Sequence, residues 1–150
     1  FAATSVPLTW RRTLLGAVLA SGLDALAARR SAAQLWGASG AATNRVEVVV
    51  QRGTRRRIKG GRVIESTDLL PSDATVIDGI PVTSLPRTLI DCAAKVGSSH
   101  LPAMADDAGH GARRRVMQDH RRDRERAEPV ARREPRALEM VTERRHSAVA

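Results

Sequence analysis

The clearest hydrophobic pattern in the chain joins a turn, a strand and a helix in one short segment. Asp78-Gly79 suits a tight turn, because glycine accepts a positive φ and aspartate bonds to nearby backbone. Residues 80–83 then alternate larger apolar side chains with Pro and Thr, which predicts a short strand. Ser84 is placed to cap a helix, and apolar residues at helical spacing predict that helix over 85–96.

Weaker periodicities predict further elements. Apolar residues at helical spacing indicate a helix over 10–20, and the valine-rich segment 45–51 is the clearest strand. Residues 23–36 fit two alternatives. They form either one helix, or a short strand at 25–28 followed by a helix over 31–36.

These patterns together predict a small α+β domain over residues 8–108, with a mainly antiparallel sheet packed by helices. Residues 62–67 are expected to return as the partner strand of the valine-rich segment, across a hairpin loop. The expected strands are 46–50, 63–67 and 76–83, and the expected helices are 10–20, 31–36 and 85–96, with a last helix from about 99 to 108.

The pattern of charge changes after Gly111. Residues 113–145 contain twelve arginines and no lysine, interleaved with acids and with almost no apolar period. Such a composition buries too little apolar surface to offset conformational entropy, so residues 112–150 are expected to form a disordered or weakly helical tail. An alternative is that the tail is an out-of-frame translation of GC-rich DNA, which would yield arginine without lysine.

The charge balance favours a polyanionic partner. The chain carries 25 basic and 16 acidic side chains, for a net charge of +9, which is typical of proteins that bind nucleic acid. Phe1, Trp10 and Trp36 are its only aromatic residues, which argues against a base-stacking platform for single strands. The one cysteine, Cys92, excludes an internal disulfide and fits a reducing compartment, so we expect a cytoplasmic protein.

The strongest candidate binding site is the basic connection, residues 52–62, between two predicted strands. It has six positive charges in eleven residues and no acid. Such a segment would bind DNA phosphates in a salt-dependent, sequence-independent way, and the alternative is a solvated hairpin loop. The candidate nucleic-acid-binding residues are Arg52, Arg55, Arg56, Arg57, Lys59 and Arg62.

Patterns for catalysis or metal binding are weak. Three histidines stand ten residues apart, and none makes a short ligand pair with Cys92. Asp123 and Glu125 lie in an arginine-rich run, whereas a magnesium nuclease needs carboxylates that converge from strands. Arg87 and Asp91 are expected to form a solvated surface pair. We therefore expect a non-enzymatic protein with no catalytic residue, metal, cofactor or small-molecule substrate.

An alternative concerns the N-terminal residues 10–27. Paired arginines, an apolar run and Ala-Leu-Ala imitate a twin-arginine export signal. Asp24 interrupts that run, and the same apolar residues fit one face of a core helix, which is the interpretation we favour. No stretch approaches the roughly 20 apolar residues that span a bilayer, so no membrane partner is expected.

Four segments occur in an order that resembles actinobacterial AbiEi-type antitoxin proteins of type IV toxin–antitoxin systems. The resemblance covers residues 8–108 and is most specific in the last of the four segments. It implies an antitoxin or transcriptional regulator whose partners are a cognate toxin protein and DNA. The segments are Leu8-Thr9-Trp10-Arg11, Arg30-Ser31-Ala32-Ala33-Gln34-Leu35-Trp36-Gly37, Val46-Glu47-Val48-Val49-Val50 and Asp78 to Ala94.

Members of this family often carry a winged helix-turn-helix before this region and a very-short-patch-repair-like endonuclease domain after it. We therefore expect the chain to be the central fragment of a longer protein. The alternative function is an inactive remnant of such an endonuclease protein without its catalytic domain. Two positions depart from the family pattern: Glu65-Ser66-Thr67 replaces a frequent His-Arg pair, and Arg29 stands where a histidine is frequent.

Overall fold

The structure is a computed structural model that describes residues 9–38, 40–53, 56–96 and 99–131. Within these residues the chain forms four α-helices and five strands, which confirms the α+β class. The helices are α1 (Trp10–Ser21), α2 (Arg29–Trp36), α3 (Leu85–Val96) and α4 (Leu101–Ala131), and the strands are β1 (Leu26–Ala27), β2 (Val46–Gln51), β3 (Gly61–Ser66), β4 (Ala74–Ile77) and β5 (Ile80–Thr83).

The five strands form one mixed sheet in the order β3-β2-β1-β5-β4. The β1–β2 and β4–β5 pairs are antiparallel, whereas the β1–β5 and β2–β3 pairs are parallel. The predicted partner strand of β2 is therefore present, but its expected direction is wrong: Val46 pairs with Gly61, and Gln51 pairs with Ser66. The basic connection is consequently a crossover from the end of β2 to the start of β3, and not a hairpin loop.

The predicted turn at Asp78-Gly79 is confirmed. Both residues have positive φ, 50° and 77°, as a two-residue hairpin turn of type I′ requires. Ile77 and Ile80 pair across it, so the single strand expected over 76–83 is in fact the β4–β5 hairpin. The helix predicted directly after this hairpin, α3, has the expected bounds.

The second of the two alternatives for residues 23–36 holds, because a short strand precedes α2. Gly37 ends α2 with a left-handed φ of 89°, a common helix stop. Just before it, the Trp36 indole Nε1–H donates to the Thr83 carbonyl at 3.0 Å, which fastens the end of α2 to β5.

The main hydrophobic cluster lies where α1 and α2 pack against the sheet. Alternate residues of β2 (Val46, Val48 and Val50) are buried with Leu14 and Val18 of α1. Each such side chain contributes about 1.5–3 kcal/mol when fully buried. Helix α1 is therefore part of the core of this domain.

A smaller cluster joins α2, α3 and the start of α4. It contains Ala33, Cys92 and Met104, all buried. At the edge of this contact a Cβ on Gly111 would lie 2.1 Å from the Trp36 carbonyl oxygen. Glycine at this position therefore permits the close approach of α4 to the end of α2.

The last helix does not end near Ala108 as expected but continues to Ala131. Residues 112–131, which were expected to be disordered or weakly helical, therefore form a regular helix, while 132–150 lie outside the described residues. The chain divides into two compact units after Ala112. In the second unit, α4 carries an exposed ion pair four residues apart, of a kind that supports helices.

Candidate functional site

The basic connection runs along the sheet instead of turning at one end of it. Six-residue strands are about 20 Å long, so Arg52, after β2, and Lys59, before β3, lie near opposite ends of the sheet. Side chains alternate along β3, so Arg62 shares a sheet face with Ile64 and Ser66. The described residues of the basic connection therefore do not form one compact patch.

The described basic side chains differ in their contacts. The Arg56 Nη1 donates to the Ala20 carbonyl near the end of α1 at 3.2 Å, where a cation is favourable. Arg55 lies outside the described residues. Four other side chains are exposed and form no ion pair within the part of the chain that the structure describes: Arg52, Arg57, Lys59 and Arg62.

A charged network that the sequence did not predict surrounds Arg87 on α3. Its side chain is only 14% exposed, and Nε bonds to Asp91 at 3.1 Å. Nη2 bonds to Asp68 at 3.1 Å, and Nη1 bonds to Asp73 at 3.3 Å. The expectation of a solvated pair with Asp91 is therefore wrong, because two acids of the preceding loop complete a three-carboxylate cage.

The network also shifts the ionisation of its members. A hydrogen bond from the Ser66 hydroxyl, together with Arg87, lowers the pKa of Asp68 below its ordinary value. Partial burial disfavours the charge of Arg87, but its hydrogen bonds to Asp68 and Asp91 outweigh that effect and raise its pKa. The shifts favour the charged forms of Asp68 and Arg87, and the ion pairs fasten the 66–73 loop to α3.

A small cavity of about 130 Å³ lies beside this network. Its walls come from the β1–α2 junction, β2, β3 and α3. Residues that line it include Arg29, Val49, Ile64, Glu65, Arg87 and Asp91.

Arg29 is in an unusual state at this cavity. Its φ is +50°, a left-handed conformation that costs a non-glycine residue about 1–2 kcal/mol. Its Nη1 is buried and has no hydrogen-bond partner among the described residues. No carboxylate of the described chain forms an ion pair with it. A local sequence signal for this geometry is lacking, because arginine rarely adopts it.

Arg30, Ser31 and Glu47, close to Arg29, form hydrogen bonds with other parts of the domain. Glu47 accepts the backbone N–H of Arg30 at 3.2 Å, and the Arg30 side chain donates to the Gly40 and Ala42 carbonyls. The Ser31 hydroxyl accepts the Glu47 N–H at 2.9 Å, so this serine joins α2 to β2. Glu47 thus bonds to the start of α2, and it forms no ion pair with Arg29.

A second, apolar groove of about 420 Å³ lies elsewhere on the domain. Leu23 is fully exposed there, and Leu70 is 60% exposed. Apolar side chains that are contiguous on a surface can mark a protein contact. The groove is lined by Leu23, Leu26, Gln51, Leu69, Leu70 and Pro71, among others.

Metal chemistry finds no support in the described ranges, where no three His, Cys, Asp or Glu side chains are grouped to hold an ion. Glu125 pairs instead with Arg121 on the surface of α4. Burial raises the pKa of the Cys92 thiol to about 11, which makes it a poor nucleophile. Among the described helices, none has the length and apolarity to cross a bilayer.

Comparisons of the chain with protein-family models, curated proteins and solved structures find no match. The features that bear on function are the four exposed basic residues, the arginine at the cavity and the apolar groove.

Proposed function

We propose that the chain is a cytoplasmic, non-enzymatic binding module of the kind found in AbiEi-type antitoxins or transcriptional regulators. It contacts DNA phosphates weakly through the basic connection and a protein partner through the apolar groove. The observation that carries the DNA part is the exposure of Arg52, Arg57, Lys59 and Arg62 without carboxylate partners.

Phosphate contact through these residues has a specific physical signature. Each phosphate that a protein neutralises releases counterions, and contributes about −0.9 to the slope of log K against log salt concentration. The side chains are spread along about 20 Å of sheet, which suits a backbone and not the edge of one base pair. Binding should therefore be weak, independent of sequence and strongly reduced by salt.

The test is a fluorescence anisotropy titration of a labelled duplex at several salt concentrations. The double substitution Arg57→Gln, Lys59→Gln should reduce the magnitude of the slope by about 2, because two contacts are lost. Arg56 is left intact, because it holds the end of α1. The matched control, Arg12→Gln with Lys95→Gln, removes two exposed charges outside the basic connection. An unchanged slope in the first variant means that the basic connection is only solvated.

A specific observation also favours protein contact, namely the full exposure of Leu23 in the apolar groove. In the toxin–antitoxin interpretation, the partner is the cognate toxin protein. Sedimentation of the two purified proteins should give a complex that Leu23→Asp weakens at least tenfold. The control Leu19→Asp changes an equally apolar, exposed residue that does not line the groove. Equal weakening by both variants would remove the groove from the interface.

One observation weighs against the export alternative. Removal of an export signal over 10–27 would take Leu14 and Val18 out of the main cluster, so the domain would lose much of its core.

A further inference from the structure

The Arg29 guanidinium lacks the acceptors that a partly buried charge normally has. Burying part of a charged group is costly unless it is paired, and Nη1 is buried without a partner among the described residues. The backbone at Arg29 is also in a conformation that favours glycine. A residue whose backbone conformation is strained and whose buried charge has no partner is typical of a binding position.

The cavity beside Arg29 has a size that limits what it can hold. Its volume is about 130 Å³. One water molecule takes about 30 Å³ in the liquid, so there is room for a group of about four waters. That is enough for a tetrahedral oxyanion and its immediate hydration, and too little for a nucleoside.

Arg62 supplies a second positive charge near this cavity. It lies on the same face of β3 as Ile64, which lines the cavity, and it is exposed without an ion pair in the described chain. Two residues of strand separate them by about 7 Å, which is within the reach of an arginine side chain. Arg62 thus lies on the sheet face that borders the cavity, opposite Glu47 of β2 in the strand pairing.

The two acids that line the cavity are already engaged. Both oxygens of Asp91 accept hydrogen bonds from Nε of Arg87. The Glu65 carboxylate accepts the Gly53 N–H at 3.2 Å. The Arg87 cage as a whole has more acids than bases, so a singly charged ligand fits this surface better than a doubly charged one.

We propose that Arg29 forms a site for a singly charged oxyanion of the phosphodiester type at the mouth of the cavity, with Arg62 on the adjoining sheet face as a second positive charge. A guanidinium donates two parallel hydrogen bonds to such a group. The source is either a nucleic-acid backbone or a small free phosphate ester. This inference deepens the proposed function, and rests on it only for the nucleic-acid source.

The test is an NMR titration of the ¹⁵N-labelled chain with dimethyl phosphate at constant ionic strength. Saturable shifts are expected at the amides of Arg29 and Ile64. Arg29→Gln should weaken binding at least tenfold and Arg62→Gln about threefold, whereas Arg12→Gln, an exposed arginine of α1, should leave it unchanged. Absence of saturable shifts in the unsubstituted chain would overturn the proposal, whether or not the variants fold.

The same titration with inorganic phosphate and with an unlabelled duplex identifies the source. Shifts at Arg29 with dimethyl phosphate and also with the duplex assign the site to a nucleic-acid backbone. Shifts with dimethyl phosphate or inorganic phosphate but not with the duplex assign it to a small free phosphate and leave the basic connection to bind DNA by itself. Equal affinity of Arg29→Gln and the unsubstituted chain would contradict the site, even if the salt slope through Arg57 and Lys59 is as proposed.

Discussion

Arg87 and Arg29 line the same small cavity, but their guanidinium groups are in opposite situations. Arg87 is on a regular helix and bonds to three carboxylates. Arg29 is in a left-handed conformation, and no carboxylate of the described chain pairs with it. Two arginines of one surface therefore have different tasks: the satisfied one holds the fold together, and the unsatisfied one is free to bind.

The largest expected effect comes from removing the satisfied arginine. Arg87→Met should lower the free energy of unfolding by about 2–4 kcal/mol, because it leaves three carboxylates close together without a counter-charge. Urea unfolding followed by circular dichroism measures it. The control is Arg121→Met, which breaks an exposed pair with Glu125 and should cost about 0.5 kcal/mol or less. If both variants cost the same, the cage is not structural.

A smaller loss is expected when one acid of the cage is neutralised. Asp91→Asn should lower the free energy of unfolding by about 1–2 kcal/mol, because a charged hydrogen-bond acceptor of Arg87 is lost. Asp106→Asn, on the exposed surface of α4, is the matched control and should change little. A double-mutant cycle with Arg87→Met isolates the pair. Additive losses would mean that Asp91 and Arg87 do not act together.

The pH dependence of stability should report on Asp68. Its pKa is lowered in the folded protein, so its contribution is complete above the ordinary value of 3.8 and is lost as the pH falls through the folded value. Urea midpoints of the unsubstituted chain and Asp68→Asn should therefore differ at pH 6 and converge in acid. A difference that persists in strong acid would assign the effect to something other than the charge of Asp68.

The contacts of Arg87 also show which features of the fold could be predicted from the sequence and which could not. The turn at Asp78-Gly79 and the bounds of α3 depend on neighbouring residues, and both were predicted correctly. Of the Arg87 cage, the sequence predicted only the pair with Asp91, which is four positions away on the same helix. Asp68 is 19 positions away from Arg87, and a loop brings it back to α3. Contacts at that separation depend on the packing of the whole domain.

The direction of β3 was missed for a similar reason. A short polar connection after a strand usually closes a hairpin. One signal was available, because Ile58 is an apolar residue in the middle of the basic connection. It packs against the main cluster near Val46, which a crossover allows and a solvated hairpin loop does not need. The left-handed conformation of Arg29 had no comparable signal, because its residue type argues against it.

The smallest expected change in the free energy of unfolding is at Arg29, where the direction of the change decides the interpretation. Arg29→Gly removes the left-handed strain, about 1–2 kcal/mol, and costs about 0.5–1 kcal/mol in backbone entropy. Without phosphate ester, the free energy of unfolding should therefore stay equal or rise by up to about 1 kcal/mol. Arg30→Gly, one position later, should lose about 1–2 kcal/mol, because it places a glycine inside a helix and breaks the hydrogen bonds of Arg30 to two loop carbonyls.

Urea unfolding of both glycine variants makes this comparison at a single pH. If Arg29→Gly keeps or gains stability but no longer binds dimethyl phosphate, the role of Arg29 in binding is separate from any role in folding. A loss at Arg29 as large as the loss at Arg30 would mean that the guanidinium stabilises the fold by contacts equivalent to those of Arg87. The contrast between the two arginines would then be one of geometry and not of function, and the phosphate site would lose its main physical support.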